Sequence, residues 1–136
     1  MKKLKFKCWD KQNNEMDTVD YLAWHNYELY IKPCSYQDEF TLEDYDLLMY
    51  IGLMDITDRE IYEQDIIRII EPSTRTRIYC VVVYNEESCC FQFLGIRDNT
   101  IWPISFYKYC KILGNTYNDK DLYDAIKLDQ NIDKWD

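Results

Sequence analysis

Apolar and polar residues alternate with a period of two along much of the chain, which is typical of strands that bury one face. Over residues 4–8 the alternation is between lysines and apolar side chains. A polar run separates this segment from residues 16–22, so we predict a hairpin over residues 4–22. A third strand is predicted over residues 27–32, because Pro33 cannot donate to a strand ladder and ends it.

The second half of the chain predicts short strands at regular spacing, separated by polar turns. These strands cover residues 66–70, 75–84, 89–94, 101–106 and 109–113. Their spacing favours a small SH3-like barrel or a strongly bent sheet. Near the end, the run from Asn118 to Asp121 supplies N-cap chemistry for a helix over residues 119–128. The tail after Leu128 is predicted to fray.

The middle of the chain is harder to assign. Residues 35–43 are polar and acidic and predict a loop, whereas residues 47–51 form an apolar run that periodicity alone leaves open between helix and strand. We therefore predict one α+β, mainly β domain over residues 1–136. Its parts are an N-terminal hairpin and strands (1–35), an acidic connecting segment (36–65), barrel strands (66–117), and a C-terminal helix and tail (118–136).

Composition excludes several classes of protein. Of the 136 residues, 47% are hydrophobic and 16% aromatic, which is enough for one packed domain and too apolar for a disordered chain. Apolar runs such as residues 80–84 are far shorter than the roughly 20 residues of a membrane helix, so none is expected. The charged start, residues 1–7, is not followed by an apolar core, so we expect no secretion signal and a cytoplasmic protein.

The cysteines and the single histidine do not indicate a metal or redox site. The six cysteines are expected to be reduced in the cytoplasm, and no Cys-x-x-Cys pair occurs. His25 has no second histidine to form a zinc site with. Cys89 and Cys90 would point to opposite faces of a strand, which predicts one buried and one more exposed thiol. No cofactor is predicted.

The net charge of −9 lies almost wholly in residues 36–65, which hold ten acidic side chains and one basic one, Arg59. Such a segment repels phosphates, so direct nucleic-acid binding is not expected, and it attracts a basic protein surface. The Tyr-rich surface, with 13 tyrosines in the chain, would equally serve a homo-oligomer. The candidate partner-binding acidic surface comprises Asp38, Glu39, Glu43, Asp44, Asp46, Asp55, Asp58, Glu60 and Glu63.

Closely spaced carboxylates also occur in glycosidases and metal-dependent nucleases. A nuclease site normally adds cations for its substrate, and Arg59 is the only one here, so a solvated acidic face is favoured. The chain has neither a Gly-rich phosphate loop nor a Gly-x-Ser-x-Gly motif. We therefore assign no catalytic residue and expect no enzyme, with a nuclease-like metal enzyme as the alternative.

Three motifs occur in order along the chain. The first is a basic strand ending in Trp9-Asp10, with Met16 after it. The second is Gly52-Leu53-Met54-Asp55, continued through Glu60-Ile61-Tyr62-Glu63-Gln64-Asp65. The third is Ile112-Leu113-Gly114-Asn115-Thr116-Tyr117, before the closing helix. Together they resemble the YopX family of bacteriophage and prophage proteins. The resemblance implies a small β-rich domain made in the host cytoplasm, with no activity or catalytic residue to carry over. Structural roles are expected for Trp9, Asp10, Gly52, Leu53, Tyr62, Asp65, Gly114 and Asn115.

Two positions depart from the family pattern. Where the family has Asn-Gly, this chain has Ile56-Thr57-Asp58, so we expect a type I turn around Thr57 and Asp58. Gln64 replaces a family glycine, so its backbone is either out of the left-handed region or strained within it.

The function predicted from these observations is that of a phage-encoded, non-enzymatic binding or regulatory protein. Its partner would be a host or phage protein with a basic surface. The alternative is an acidic, DNA-mimic-like inhibitor of a nucleic-acid-binding host protein.

Overall fold

The computed structural model describes residues 3–136, which form two antiparallel five-stranded sheets. Lys2, one of the lysines in the charged start, lies outside the described residues. The strands are β1 (Phe6–Asp10), β2 (Glu15–His25), β3 (Glu28–Pro33), β4 (Tyr45–Met54), β5 (Glu60–Tyr62), β6 (Asp65–Ile70), β7 (Arg77–Asn85), β8 (Cys90–Gly95), β9 (Ile101–Pro103) and β10 (Cys110–Asn115). A 3-10 helix covers Ile104–Tyr109, and α1 covers Lys120–Lys127. The expected mainly β class is confirmed.

The chain divides into two compact units, and β4 passes from one into the other between Tyr50 and Ile51. In unit 1, which ends at Tyr50, the strand order is β3-β2-β1-β4. The predicted N-terminal hairpin is confirmed, since β1 pairs with β2 through Trp9 opposite Met16. The run left open between helix and strand is the strand β4, which pairs antiparallel with β1.

The core of unit 1 lies on one face of these strands. Cys8, Ile31 and Tyr45 are buried together, with Leu22 and Phe40 packed against them. The strand alternation explains this, because Leu22 and Ile31 are directly opposite each other and therefore share a face. The other face of the β2–β3 hairpin is left toward solvent.

Unit 2, Ile51–Asp136, contains the second sheet in the order β10-β6-β7-β8-β9. One buried cluster includes Ile67, Ile69 and Phe93. The other includes Ile66 of β6 and Leu122 of α1. Because β6 is covered on both faces, it carries buried isoleucines on each face instead of an apolar–polar alternation.

Four details differ from the sequence predictions. In residues 3–136 the second sheet is open, with β10 and β9 at its edges, so the SH3-like barrel is not confirmed. The strand predicted to reach residue 106 stops at Pro103, which has no N–H for the ladder. The predicted α1 is confirmed, but its N-cap Asp119 makes no side-chain cap bond, because its Oδ2 instead accepts from the Asn115 N–H at 3.0 Å.

The fourth difference is the tail, which is anchored where fraying was predicted. Ile132 is buried in the cluster that includes α1. The carboxylate of Asp136 pairs with the buried guanidinium of Arg68 and with Arg77 at 3.2 Å. The tail therefore contributes to the core of unit 2.

Candidate partner-binding surface

The loop that joins β3 to β4 in unit 1 carries three exposed acidic side chains, those of Asp38, Glu43 and Asp44. Phe40 anchors it, because its N–H and C=O exchange hydrogen bonds with Ile31 at 2.8 and 2.6 Å and its ring lies 4.8 Å from that of Tyr45. Thr41 then shapes the turn, accepting from the Asp44 and Tyr45 N–H groups through its carbonyl oxygen. With Phe40 fixed inward, Asp38, Glu43 and Asp44 remain exposed.

The five predicted acidic residues in unit 1 lie on or beside this loop, which we call the acidic loop (residues 36–46). Asp38, Glu43 and Asp44 are exposed, and Glu39 and Asp46 are half-buried. The Lys11 ammonium lies 3.3 Å from Asp46 and donates to the carbonyl oxygens of Leu42 and Glu43.

Glu39 connects the acidic loop to the outer face of the β2–β3 hairpin. Its carboxylate lies 3.3 Å from His25 Nε2. It also accepts a hydrogen bond from the Tyr21 hydroxyl, and this bond raises the pKa of that tyrosine. On the same face the rings of His25 and Tyr30 meet edge to face at 5.1 Å, and the negative charge of Glu28 raises the pKa of Tyr30.

Several large aromatic side chains of unit 1 are exposed. Trp24 is 70% exposed and Tyr27 is fully exposed. Tyr21 and Tyr36 are also exposed. Their exposure was not predicted, since alternation places Trp24 on the inward face of β2. The detectable signal was the two-residue gap Asn26-Tyr27 between two alternating segments, which is typical of a tight hairpin.

The predicted acidic residues of unit 2 are not equivalent to one another. Asp58 is exposed, and Glu60 and Glu63 are half-buried. Asp55 was predicted for the binding surface, but it is only 5% exposed. Its Oδ1 accepts from the N–H groups of Thr57 and Arg59, and its Oδ2 accepts from that of Ile112 at 2.9 Å. Asp55 is therefore an architectural residue.

The electrostatics of Asp55 agree with this role. Burial alone would raise the pKa of the Asp55 carboxyl, but the hydrogen bonds from Ile112, Arg59 and Thr57 outweigh burial and hold it below its usual range. Five of the nine residues predicted for the acidic surface therefore lie together on unit 1. They are Asp38, Glu39, Glu43, Asp44 and Asp46.

The acidic residues of the three sequence motifs stabilise turns. Asp10 is buried and accepts from the backbone of Gln12 and Asn13 and from the Tyr45 hydroxyl. Burial would raise the pKa of Asp10, yet the bonds from Asn13 and Tyr45 lower it. Asp65 is also buried and accepts from the Tyr62 N–H at 2.8 Å.

The remaining motif residues lie at close-packed or unusual backbone positions. Trp9 and Tyr62 are buried, and Leu53 packs against the core of unit 2. Gly52 has a φ of 90°, and a Cβ at Gly114 would lie 2.4 Å from the Asp119 carboxylate. The Asn115 side-chain oxygen accepts from the backbone of the turn that follows it.

The second motif turns one residue earlier than expected. The Asp58 N–H donates to the Asp55 carbonyl oxygen at 3.0 Å, so Ile56 and Thr57 occupy the centre of the turn. Asp58 follows with a φ of 64°. Gln64 is in the left-handed region, with a φ of 68°, and its Oε1 accepts from the Thr116 hydroxyl at 2.9 Å.

The thiols and candidate metal ligands add no second site to the described part of the chain. Cys8, Cys80 and Cys110 are buried, and burial raises the pKa of each to about 12. Cys89 and Cys90 are both exposed, where one buried thiol was predicted, because the turn extends through Cys89 and the strand begins at Cys90. Within residues 3–136, no three His, Cys, Asp or Glu side chains are grouped to hold a metal ion.

Within residues 3–136, no helix is long and apolar enough to cross a membrane.

Comparison with known proteins gives a family and similar solved structures. The family model described as YopX protein matches residues 5–124. No curated protein gives a significant match. The crystal structure of protein EF1440 from Enterococcus faecalis matches with a TM-score of 0.56 and 18% identity, over 90% of this chain and 99% of that chain. The crystal structure of protein yopX from Bacillus subtilis matches with a TM-score of 0.59 and 15% identity, over 86% of this chain and 95% of that chain. At these identities the structural matches establish the fold alone.

Proposed function

Since the chain belongs to the YopX family, we propose that it is a phage-encoded, non-enzymatic binding or regulatory protein that acts in the host cytoplasm. Its partner is a host or phage protein with a basic surface, and the acidic loop of unit 1 is the contact. We also propose that the second sheet curves as in an SH3-like fold and so provides the scaffold of a small binding domain.

One observation carries the proposal. Five carboxylates lie on or beside a single short loop whose inward side is fixed by Phe40 and Thr41, and the Lys11 ammonium lies 3.3 Å from one of them, Asp46. An anchored loop loses less conformational freedom on binding than a mobile one, so more of the attraction to a basic surface remains as affinity. Exposed charges of this kind raise association rates and give salt-dependent binding.

The test is affinity capture from host lysate at low and high salt with three baits. The first is the wild-type chain, and the second has the five acidic residues of the acidic loop and its edge changed to Asn or Gln. The third is a matched control with the same change in charge on unit 2, at Glu86, Glu87, Asp121, Asp124 and Asp133, all of which are exposed.

The proposal expects a basic protein that is retained at low salt by the wild type and by the unit 2 control, and that is lost from the unit 1 variant. Equal retention by all three baits, or retention that high salt leaves unchanged, would contradict it. Release of the captured protein by competing DNA would favour the DNA-mimic-like inhibitor over a general regulatory protein, because the two ligands would then share one basic site.

A further inference from the structure

The helix α1 covers only part of one face of the second sheet. Ile66 of β6 and Val81 of β7 are buried with Leu122 of the helix. An eight-residue helix is about 12 Å long, whereas five strands span about 19 Å. Val83 and Leu94 share the face of Val81, because Val83 is two residues farther along β7 and Leu94 is directly opposite Val81. These two side chains are only half-buried.

The uncovered part of this face forms the floor of a cavity in unit 2. The cavity has a volume of about 450 Å³, and pockets for small ligands measure roughly 300–1,000 Å³. The floor is aliphatic and consists of Val81, Val83, Leu94 and Ile96. An aliphatic floor beneath a few polar groups is typical of a small-molecule site.

Two opposite charges of α1 lie at the rim of this cavity. Lys120 and Asp124 both line it and are exposed, and their spacing of four residues places them on the same face of the helix. Within residues 3–136, neither side chain makes an ion pair or a hydrogen bond. A lysine that precedes its acid is the weaker orientation of such a pair, so the two charges gain little from each other. Both are therefore available to a ligand.

Two side-chain amides complete the rim. The Gln64 Oε1 accepts from the Thr116 hydroxyl at 2.9 Å, whereas its amide nitrogen has no partner among the described residues. Asn99 lines the cavity from the turn after β8, where its backbone N–H donates to the Gly95 carbonyl oxygen and its side chain is exposed. The rim thus offers a cation, an anion and two amides with unused hydrogen-bonding capacity.

This combination indicates the class of ligand. The floor suits an apolar group, and neighbouring opposite charges suit a ligand that carries both a carboxylate and an ammonium group. A simple anion would be attracted by Lys120 but repelled by Asp124. We propose that the cavity binds a free α-amino acid with an apolar side chain.

In this complex the Lys120 ammonium pairs with the α-carboxylate, and the Asp124 carboxylate pairs with the α-ammonium group. The apolar side chain of the ligand packs against Val83 and Leu94. The cavity belongs to unit 2 and the acidic loop to unit 1, so this inference goes beyond the proposed function and does not depend on it.

The test is an ¹⁵N NMR titration of the whole chain with L-phenylalanine, L-serine and two analogues that each lack one charge. Phenethylamine has no carboxylate, and 3-phenylpropionate has no ammonium group. The variants are Lys120→Gln and Asp124→Asn, which remove one charge each and nearly keep the size of the side chain. Matched controls on the same helix are Lys127→Gln and Asp121→Asn, at exposed residues that do not line the cavity. The same spectra show that each variant is folded.

We expect L-phenylalanine to shift the signals of Val83, Leu94 and their neighbours, and to bind at least about tenfold more tightly than L-serine, which has no apolar side chain to bury. Lys120→Gln should weaken L-phenylalanine binding about three- to tenfold without weakening phenethylamine binding, because phenethylamine has no carboxylate to lose. Asp124→Asn should have the same effect on L-phenylalanine without weakening 3-phenylpropionate binding. The two control variants should bind as the wild type does.

Three results would overturn the inference. The first is that the cavity signals do not move up to the solubility limit of L-phenylalanine. The second is equal affinity for L-phenylalanine and both analogues, or equal effects of the rim and control variants, since the two charges would then not be recognised. The third is self-association in light scattering that L-phenylalanine does not reverse and that the rim variants weaken, which would assign the cavity to a second copy of this chain.

Discussion

Replacement of Asp55 by Ala is expected to be strongly destabilising. The change leaves three backbone N–H groups without their acceptor, those of Thr57, Arg59 and Ile112. The Ile112 N–H is buried, so removal of the carboxylate leaves a buried donor without its acceptor. An unsatisfied buried donor costs about 1–3 kcal/mol, and the lost bonds to a charged acceptor add to this. We therefore expect a loss of about 3–4 kcal/mol in the free energy of unfolding.

Urea denaturation followed by circular dichroism would measure this loss, which is a large share of the roughly 5–15 kcal/mol that stabilises a typical domain. Asp58→Asn is the matched control, because Asp58 is an exposed acid of the same turn and Asn tolerates its positive φ. It should change stability by less than about 0.5 kcal/mol. Equal effects of the two substitutions would refute the assignment of Asp55 as an architectural residue.

The pH dependence gives a second check on the same residue. The pKa of Asp55 is lowered in the folded protein, so its contribution is fully present above the unfolded pKa of about 3.9. The contribution is lost as the pH falls from there toward the folded pKa. The stability difference between wild type and Asp55→Ala should therefore be constant from about pH 5 upward and shrink below about pH 4. A difference that changed mainly near neutral pH would contradict this reasoning.

Three further predictions follow from the backbone, the tail and the thiols. Tyr27→Gly should stabilise the chain by about 0.5–1 kcal/mol in urea denaturation, because glycine adopts the φ of 67° without strain, and a loss of stability would contradict the turn geometry. Asp136→Ala should cost about 3–5 kcal/mol by leaving the Arg68 guanidinium buried without its carboxylate, whereas exposed Asp133→Ala should have little effect. A chromogenic disulfide reagent at pH 8 should modify three thiols quickly and leave the three buried ones until the chain unfolds, and six fast thiols would contradict the burial. The buried thiols are those of Cys8, Cys80 and Cys110.

Much of the fold follows from local pattern. Period-two alternation located the hairpin of β1 and β2, and Pro33 marked the end of β3. Asn and Asp clusters located the turns of the second half, where side-chain bonds such as Asn85 Oδ1 to the Glu87 and Ser88 N–H groups form them. These features depend on interactions within a few residues, which a sequence displays directly.

The errors concern interactions between distant parts of the chain. Asp55 looks like its exposed acidic neighbours, and only the approach of the Ile112 N–H, 57 residues away, buries it. The tail looks unstructured because its anchor, Arg68, is in the middle of β6. Tyr27 was predicted to begin a strand because it fits the strand pattern, and its positive φ follows from the closure of the hairpin between β2 and β3.

The central claim is that the acidic loop of unit 1 binds a basic protein surface. The most direct measurement is a ¹⁵N NMR titration of the whole chain with nona-lysine, because exposed acidic residues of both units are compared in one spectrum. The account predicts that the largest shifts fall on residues 36–46 and shrink as salt is raised. Shifts that are as large around Glu86, Glu87, Asp121, Asp124 and Asp133 would contradict it.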